Sequence, residues 1–155
     1  SAALFLCVGI LYDQSHTRDI DRYGGVINKM PLFTAFAVFF AMANAGLPGT
    51  SGFVGEFLVI LASAQSNFWI AFLASLTLLV GAAYSLWMIK RVFYGEVTNK
   101  LVDNLKDIGL RETVVLGSLA CLVIVVGVYP AIISDITNVT ADQFIQSMSF
   151  SKVIK

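Results

Sequence analysis

A single charge in a run of sixty residues constrains this chain more than any other feature. Between Lys29 and Lys90 the only charged side chain is Glu56. Sixty mostly apolar residues are enough to cross a hydrocarbon core of about 30 Å more than once. Over the 155 residues, 57% are hydrophobic and 13% charged, about half the charged fraction of a soluble domain. The apolar runs are continuous and lack the two-residue alternation of a barrel strand, so the fold expected is an all-α integral membrane protein, a bundle of transmembrane helices.

Composition also excludes several function classes. Net charge is zero, so nothing points to nucleic acid; the lipid bilayer is the partner composition implies. Neither a Walker loop nor a G-x-G-x-x-G between strand and helix occurs, so no soluble nucleotide fingerprint is present. His16 is the sole histidine, and Cys7 and Cys121 sit in apolar runs. That leaves no metal-ligand spacing, no multi-histidine haem or metal site, and two thiols expected to be inert and buried.

The chain divides by charge. Residues 1–12 are apolar but too short to span and carry no basic leader or cleavage site. They are expected to be the end of a transmembrane helix of a longer protein, of which this chain is the C-terminal part. Residues 13–30 read as an aqueous loop with a Gly24-Gly25 turn, and Pro31 opens the next helix. Residues 69–89 form a span with Trp69 and Trp87 at its two interfaces and a stripe of small residues for close packing. Residues 90–112 are a second basic loop, with part of 102–110 as a short surface helix. Residues 113–133 are the last span, and 134–155 an interfacial tail.

Residues 31–66 are too long for one span and too short for two ordinary ones. They read either as a hairpin or as one discontinuous helix broken at Gly46-Leu47-Pro48-Gly49-Thr50-Ser51-Gly52. Basic residues favour the second. With one discontinuous span, loops 13–30 and 90–112 share a face and hold eight of the ten, leaving Lys152 and Lys155 opposite; a hairpin splits them five against five. The positive-inside rule then places those loops in the cytoplasm or mitochondrial matrix and the C-terminus on the other side.

Glu56 falls in the second half of that helix. A carboxylate at membrane depth costs several kcal/mol unless it has a partner, water or a proton. Burial favours its protonated form and the positive end of a helix its charged form, a balance suited to a proton relay. The break supplies what such a group needs: freed backbone groups, tolerated at depth only against protein or a hydrated cavity. Asn44, Gly46, Pro48, Gly49, Thr50 and Ser51 are therefore the supporting residues, with Thr50 or Ser51 capping the second half-helix and Asn44 holding a water or a freed carbonyl. Ser63, Ser75, Thr77, Tyr84 and Ser85 could line a hydrated path. The structural alternatives are a neutral or salt-bridged Glu and a plain Pro/Gly kink. His16 is a possible further site residue, with a loop histidine as its alternative.

Three segments carry a family resemblance: Leu11-Tyr12-Asp13-Gln14-Ser15-His16-Thr17-Arg18-Asp19, then Gly46-Leu47-Pro48-Gly49-Thr50, then Phe53-Val54-Gly55-Glu56-Phe57. Tyr84-Ser85-Leu86-Trp87 and Arg91-Val92-Phe93-Tyr94-Gly95 fit with them. Together they resemble the M-type antiporter-like subunits of NADH–quinone oxidoreductase (respiratory complex I), called chain 4 in the mitochondrial enzyme. The resemblance implies the C-terminal part of a subunit with about fourteen transmembrane helices in two inverted units, each with one broken helix. It implies that Glu56 is the acidic residue of the second broken helix, near the exit of a proton path. Related antiporter-like subunits usually carry Lys there. Other membrane-arm subunits would be partners, and NADH, FMN, iron–sulfur clusters and quinone would bind elsewhere, with no cofactor in this chain. A stand-alone cation/proton (Na+/H+) antiporter of the same fold is the alternative.

Overall fold

The computed structural model describes residues 1–97, 99–131 and 135. Among them the secondary structure is helical throughout: α1 (Ala2–Ser15), two 3-10 turns (Ile20–Arg22 and Val26–Asn28), α2 (Pro31–Asn44), α3 (Ser51–Ser66), α4 (Phe68–Val92), a single turn α5 (Lys100–Asp103) and α6 (Leu110–Val128). Two helices, α4 and α6, are long and apolar enough to cross a membrane; α1, α2 and α3 are apolar but shorter. Most of the expected tail over 134–155 lies outside the described residues.

Element ends follow local chemistry. α1 runs three residues past the apolar boundary at Tyr12 and stops at His16, which takes a left-handed conformation (φ 53°) while its N–H donates to the Tyr12 carbonyl at 2.7 Å. Pro31 occupies the first turn of α2, where its missing N–H costs nothing. Asn67 ends α3 and starts α4 at once, its side-chain oxygen accepting from the Trp69 amide at 2.9 Å. α6 begins at Leu110 rather than 113 because Glu112 reaches back to accept from the Gly109 N–H at 2.6 Å. The surface helix expected within 102–110 is only α5, one turn capped by Asn99.

The densest packing sits at the loop end of the bundle, where Val26, Met30, Phe33 and Val102 are fully buried. Residues 16–30 and 93–109 are laced together there. Gly25 N–H donates to the Tyr94 carbonyl at 3.2 Å and Ile27 N–H to the Phe93 carbonyl at 3.1 Å. Lys29 pairs with Asp103 at 2.6 Å, and Arg91 pairs with Asp21 while lying over the Trp87 ring. Gln14 bonds Lys106 twice, giving to its carbonyl and accepting from its amide. The two loops therefore lie at the same end of the molecule. Lys90-Arg91 acts in this lacing through Arg91, whereas Lys90 is exposed.

Away from this end the faces of α3, α4 and α6 are apolar and open: Val59, Leu79, Val80 and Leu122 are each more than half exposed. Surface of that kind is what a bilayer or neighbouring helices cover. Cys7 is buried, but Cys121, expected to be buried too, is exposed because α6 packs by one face only.

Asp107 makes the most consequential contact of the loop end. Its carboxylate accepts from the Leu32 amide at 2.9 Å and the Phe33 amide at 3.1 Å, capping α2 from seventy-odd residues away in sequence. A helix start leaves its first amides without partners, and a carboxylate there is doubly favoured, by hydrogen bonding and by the helix dipole. Replacing Asp107 by Ala should cost about 1–2 kcal/mol, and by Asn roughly half that. Thermal unfolding of the detergent-solubilised protein checks it; equal midpoints for parent and Asp107→Ala would refute the capping role.

Candidate functional site

The break between α2 and α3 is built from local rules. α2 ends in a paired closure: Leu47 N–H donates to the Met42 carbonyl at 3.0 Å and Gly46 N–H to the Ala43 carbonyl at 3.3 Å. This closure needs a left-handed residue at position 46, and Gly46 supplies it at φ 84°. Pro48 then has no N–H to give the Asn44 carbonyl, so the helix cannot resume. Gly49 turns the chain again at φ 87°. α3 starts two residues later.

Thr50 stands at the cap position of α3 and is buried, but its hydroxyl does not cap that helix. It donates backwards, to the Leu47 carbonyl at 2.7 Å and at the limit of range to Ala43 at 3.5 Å. The expectation that Thr50 or Ser51 caps α3 is thus corrected for Thr50: its hydroxyl donates instead to a carbonyl freed by the break. Ser51 is the first residue of α3 and makes no side-chain hydrogen bond among the described residues. Asn44 does not hold a freed carbonyl either; its side-chain oxygen accepts from the Ser1 hydroxyl at 3.1 Å.

Glu56 is the sixth residue of α3. Side chains on a helix lean toward its N-terminus, so the carboxylate is delivered back to the level of the break. A Cβ placed on Gly46 would lie 3.0 Å from Glu56 Oε2 and 3.3 Å from Leu78 Cδ2 of α4. The carboxylate thus rests over the bare backbone of Gly46, in a space only glycine leaves open. It faces a cleft of about 620 Å³ between the end of α2, α3 and α4, walled by Asn44, Thr77, Leu78, Gly81 and Tyr84 among others. Glu56 is exposed to that cleft, and no side chain or amide of the described residues hydrogen-bonds it.

Of the polar residues expected along a hydrated path, Thr77 and Tyr84 line this cleft. Ser63, Ser75 and Thr77 spend their hydroxyls on their own helices, donating to the carbonyls of Val59, Phe72 and Ala74, and Ser85 is buried. His16 is not part of the cleft; it ends α1, exposed, with its ring edge-on to Tyr12 at 6.2 Å. Leu78, Gly127 and Asp107 were not singled out from the sequence, and nothing in their local surroundings marks them. No group of three or more metal-ligating side chains occurs among the described residues.

Residues 1–81 match the family described as "NADH:quinone oxidoreductase/Mrp antiporter, TM". The chain is 43% identical over 147 residues to NADH-quinone oxidoreductase subunit M of Rhodobacter capsulatus, covering 95% of this chain and 29% of that protein. It is 40% identical over 150 residues to NADH-ubiquinone oxidoreductase chain 4 of Marchantia polymorpha, covering 97% of this chain and 30% of that one. A chain in the structure of respiratory complex I from Thermus thermophilus with bound NADH superposes with a TM-score of 0.75 at 34% identity, over 84% of this chain and 27% of that chain. The chain therefore spans under a third of the length of these relatives.

Gly46→Ala tests the contact between break and carboxylate. The substitution meets both a left-handed backbone and the Glu56 oxygen, so it should cost about 1–2 kcal/mol of stability and displace the carboxylate. Thermal unfolding reads the first effect. The second is read by the rate at which a membrane-permeant carbodiimide modifies Glu56; an unchanged rate would mean that Gly46 does not seat it.

Proposed function

This chain belongs to the NADH:quinone oxidoreductase/Mrp antiporter transmembrane family, and from that premise we propose that it forms part of a proton-translocating membrane-arm subunit, of the M (chain 4) type, in NADH:quinone oxidoreductase. The subunit carries no redox centre of its own. NADH, FMN, iron–sulfur clusters and quinone act in partner subunits, and the other antiporter-like membrane subunits are its neighbours. Similarity to relatives named subunit M and chain 4 over nearly the whole chain favours this reading over a stand-alone cation/proton antiporter.

Glu56 is the proton-carrying group of this part. One observation carries that assignment: the only charge between Lys29 and Lys90 is held over the backbone of a helix break, at the wall of a cleft, without a hydrogen-bonding partner among the described residues. A structural carboxylate at depth would be expected to spend its oxygens on amides or a cation. Among the described residues nothing takes the Glu56 oxygens, which leaves them for water or a proton. In the proposed step a hydrated chain in the cleft delivers a proton to the carboxylate and a second water accepts it, with no covalent change. Asn44, Thr77 and Tyr84 are the polar groups able to order that water.

We further infer that α2 and α3 are the halves of one discontinuous span within a subunit of about fourteen helices, rather than a hairpin. Support comes from the lacing of residues 16–30 to 93–109: a hairpin would put these loops on opposite faces of the membrane. The basic residues of both loops then lie on the cytoplasmic or matrix side of a bacterial plasma membrane or mitochondrial inner membrane, and the C-terminus on the periplasmic or intermembrane side.

The test is Glu56→Gln in the complete enzyme in sealed vesicles, with proton output and NADH oxidation measured together. Assembly should be retained, because the amide fills the same space, while protons moved per NADH fall or coupled turnover drops. Glu56→Asp should recover part of the loss. Normal output from an assembled Glu56→Gln enzyme would sink the assignment.

A further inference from the structure

α6 meets the break at one glycine. A Cβ on Gly127 would run into the Gly49 carbonyl oxygen and lie 2.5 Å from both Cα and the carbonyl carbon of Thr50. All three are backbone atoms, so no side-chain rotation relieves the clash. Ordinary contact would require α6 and the break to part by about 1 Å, which a close-packed interior resists. Within α6 the closeness is particular to this residue. On the same helix a Cβ on Gly117 would touch only Phe36 Cζ, at 4.0 Å.

The atom that Gly127 meets is also particular. The Gly49 carbonyl is one of the groups that the break removes from the helical ladder, and no amide donor reaches it among the described residues. With hydrogen in place of a Cβ, Gly127 leaves that oxygen room, and a weak Cα–H···O contact is available only where no side chain intervenes. On the neighbouring side of the break a Cβ on Gly52 would stand 2.5 Å from the Ala43 carbonyl oxygen, so the two helix ends are themselves in backbone contact. α6 contributes no residue to the Glu56 cleft.

We propose that Gly127 is a positioning residue for Glu56. It lets the α6 backbone lie on Gly49 and Thr50, which fixes the break, and the break through Gly46 fixes where the carboxylate sits. The last step rests on the role proposed for Glu56; the first step, fixing the break, does not.

The test compares Gly127→Ala with Gly117→Ala in the assembled enzyme. Gly117→Ala makes the same chemical change on α6 where there is room, and so controls for helix propensity. Hydrogen exchange of the segment 45–54 reads the break, and proton output per NADH reads the function. Expected for Gly127→Ala is exchange about tenfold faster over 45–54 together with lower proton output, and for Gly117→Ala no change in either. If Gly127→Ala does not assemble, Val123→Leu, one turn earlier on α6, gives a smaller displacement and should produce smaller changes of the same sign. Unchanged exchange at the break in whichever variant assembles overturns the inference. Faster exchange with normal proton output also overturns the link to Glu56. Glu56→Gln, run alongside, then tells whether the link or the Glu56 reading has failed.

Discussion

Every backbone N–H and C=O inside a bilayer must find a partner, and a helix that stops at depth leaves several of each without one. If α2 and α3 are the halves of one span, as proposed, the geometry around residues 45–50 meets that demand. The amides of Gly46 and Leu47 turn back into the end of α2, and the Thr50 amide and hydroxyl both give to the Leu47 carbonyl. What is left over is a set of carbonyls without amide donors, chiefly those that Pro48 and the two left-handed glycines prevent from re-entering a ladder. Such groups are tolerable only beside water or very close to another backbone. The cleft provides the first condition and Gly127 the second.

The rest of the chain holds this unit in place. The loop end is tied in several places: the two loops share backbone hydrogen bonds and an ion pair, Gln14 near the end of α1 clasps Lys106 twice, and Asp107 caps α2 from the second loop. α2 is thus fastened at its start, while its other end carries the break. Exposed ion pairs such as Lys29–Asp103 contribute little each, so the hydrogen bonds to Asp107 and the buried side chains Met30 and Phe33 carry more of this fastening.

Much of this was legible in the sequence because it depends on local rules. Continuous apolar runs predict helices, Pro31 predicts a start, and Gly-Leu-Pro-Gly predicts an interruption whose place follows from missing amides and left-handed glycines. The isolation of Glu56 is itself a sequence fact. What was not legible depends on pairs far apart in the chain. Thr50 has the residue type and position of a cap, yet its hydroxyl is drawn to Leu47, a choice set by the exact course of the turn. Asp107 reads as one more acid in a charged loop until its partners on α2 are known. Gly127 is one small residue in an apolar span, and only the crossing of α6 over Gly49 distinguishes it from Gly117. His16 shows the reverse: a histidine that drew notice by chemistry serves here to end a helix.

The sign and length of the side chain at position 56 follow from the same geometry. The lean of helical side chains brings its end group toward the start of α3, where amide hydrogens point outward and the field of the helix is positive. A lysine ammonium, of opposite charge on a longer chain, would not take the same place over Gly46, so exchanging Glu for Lys here would require a different break or a different partner. Reach matters as well. With two methylenes the carboxylate arrives over Gly46, whose lack of a side chain makes the space it occupies; with one it would stop short, and with a bulkier residue at 46 it would be turned into the cleft. Charge, reach and the glycine are therefore one feature, and changing any of them changes what the other two can do.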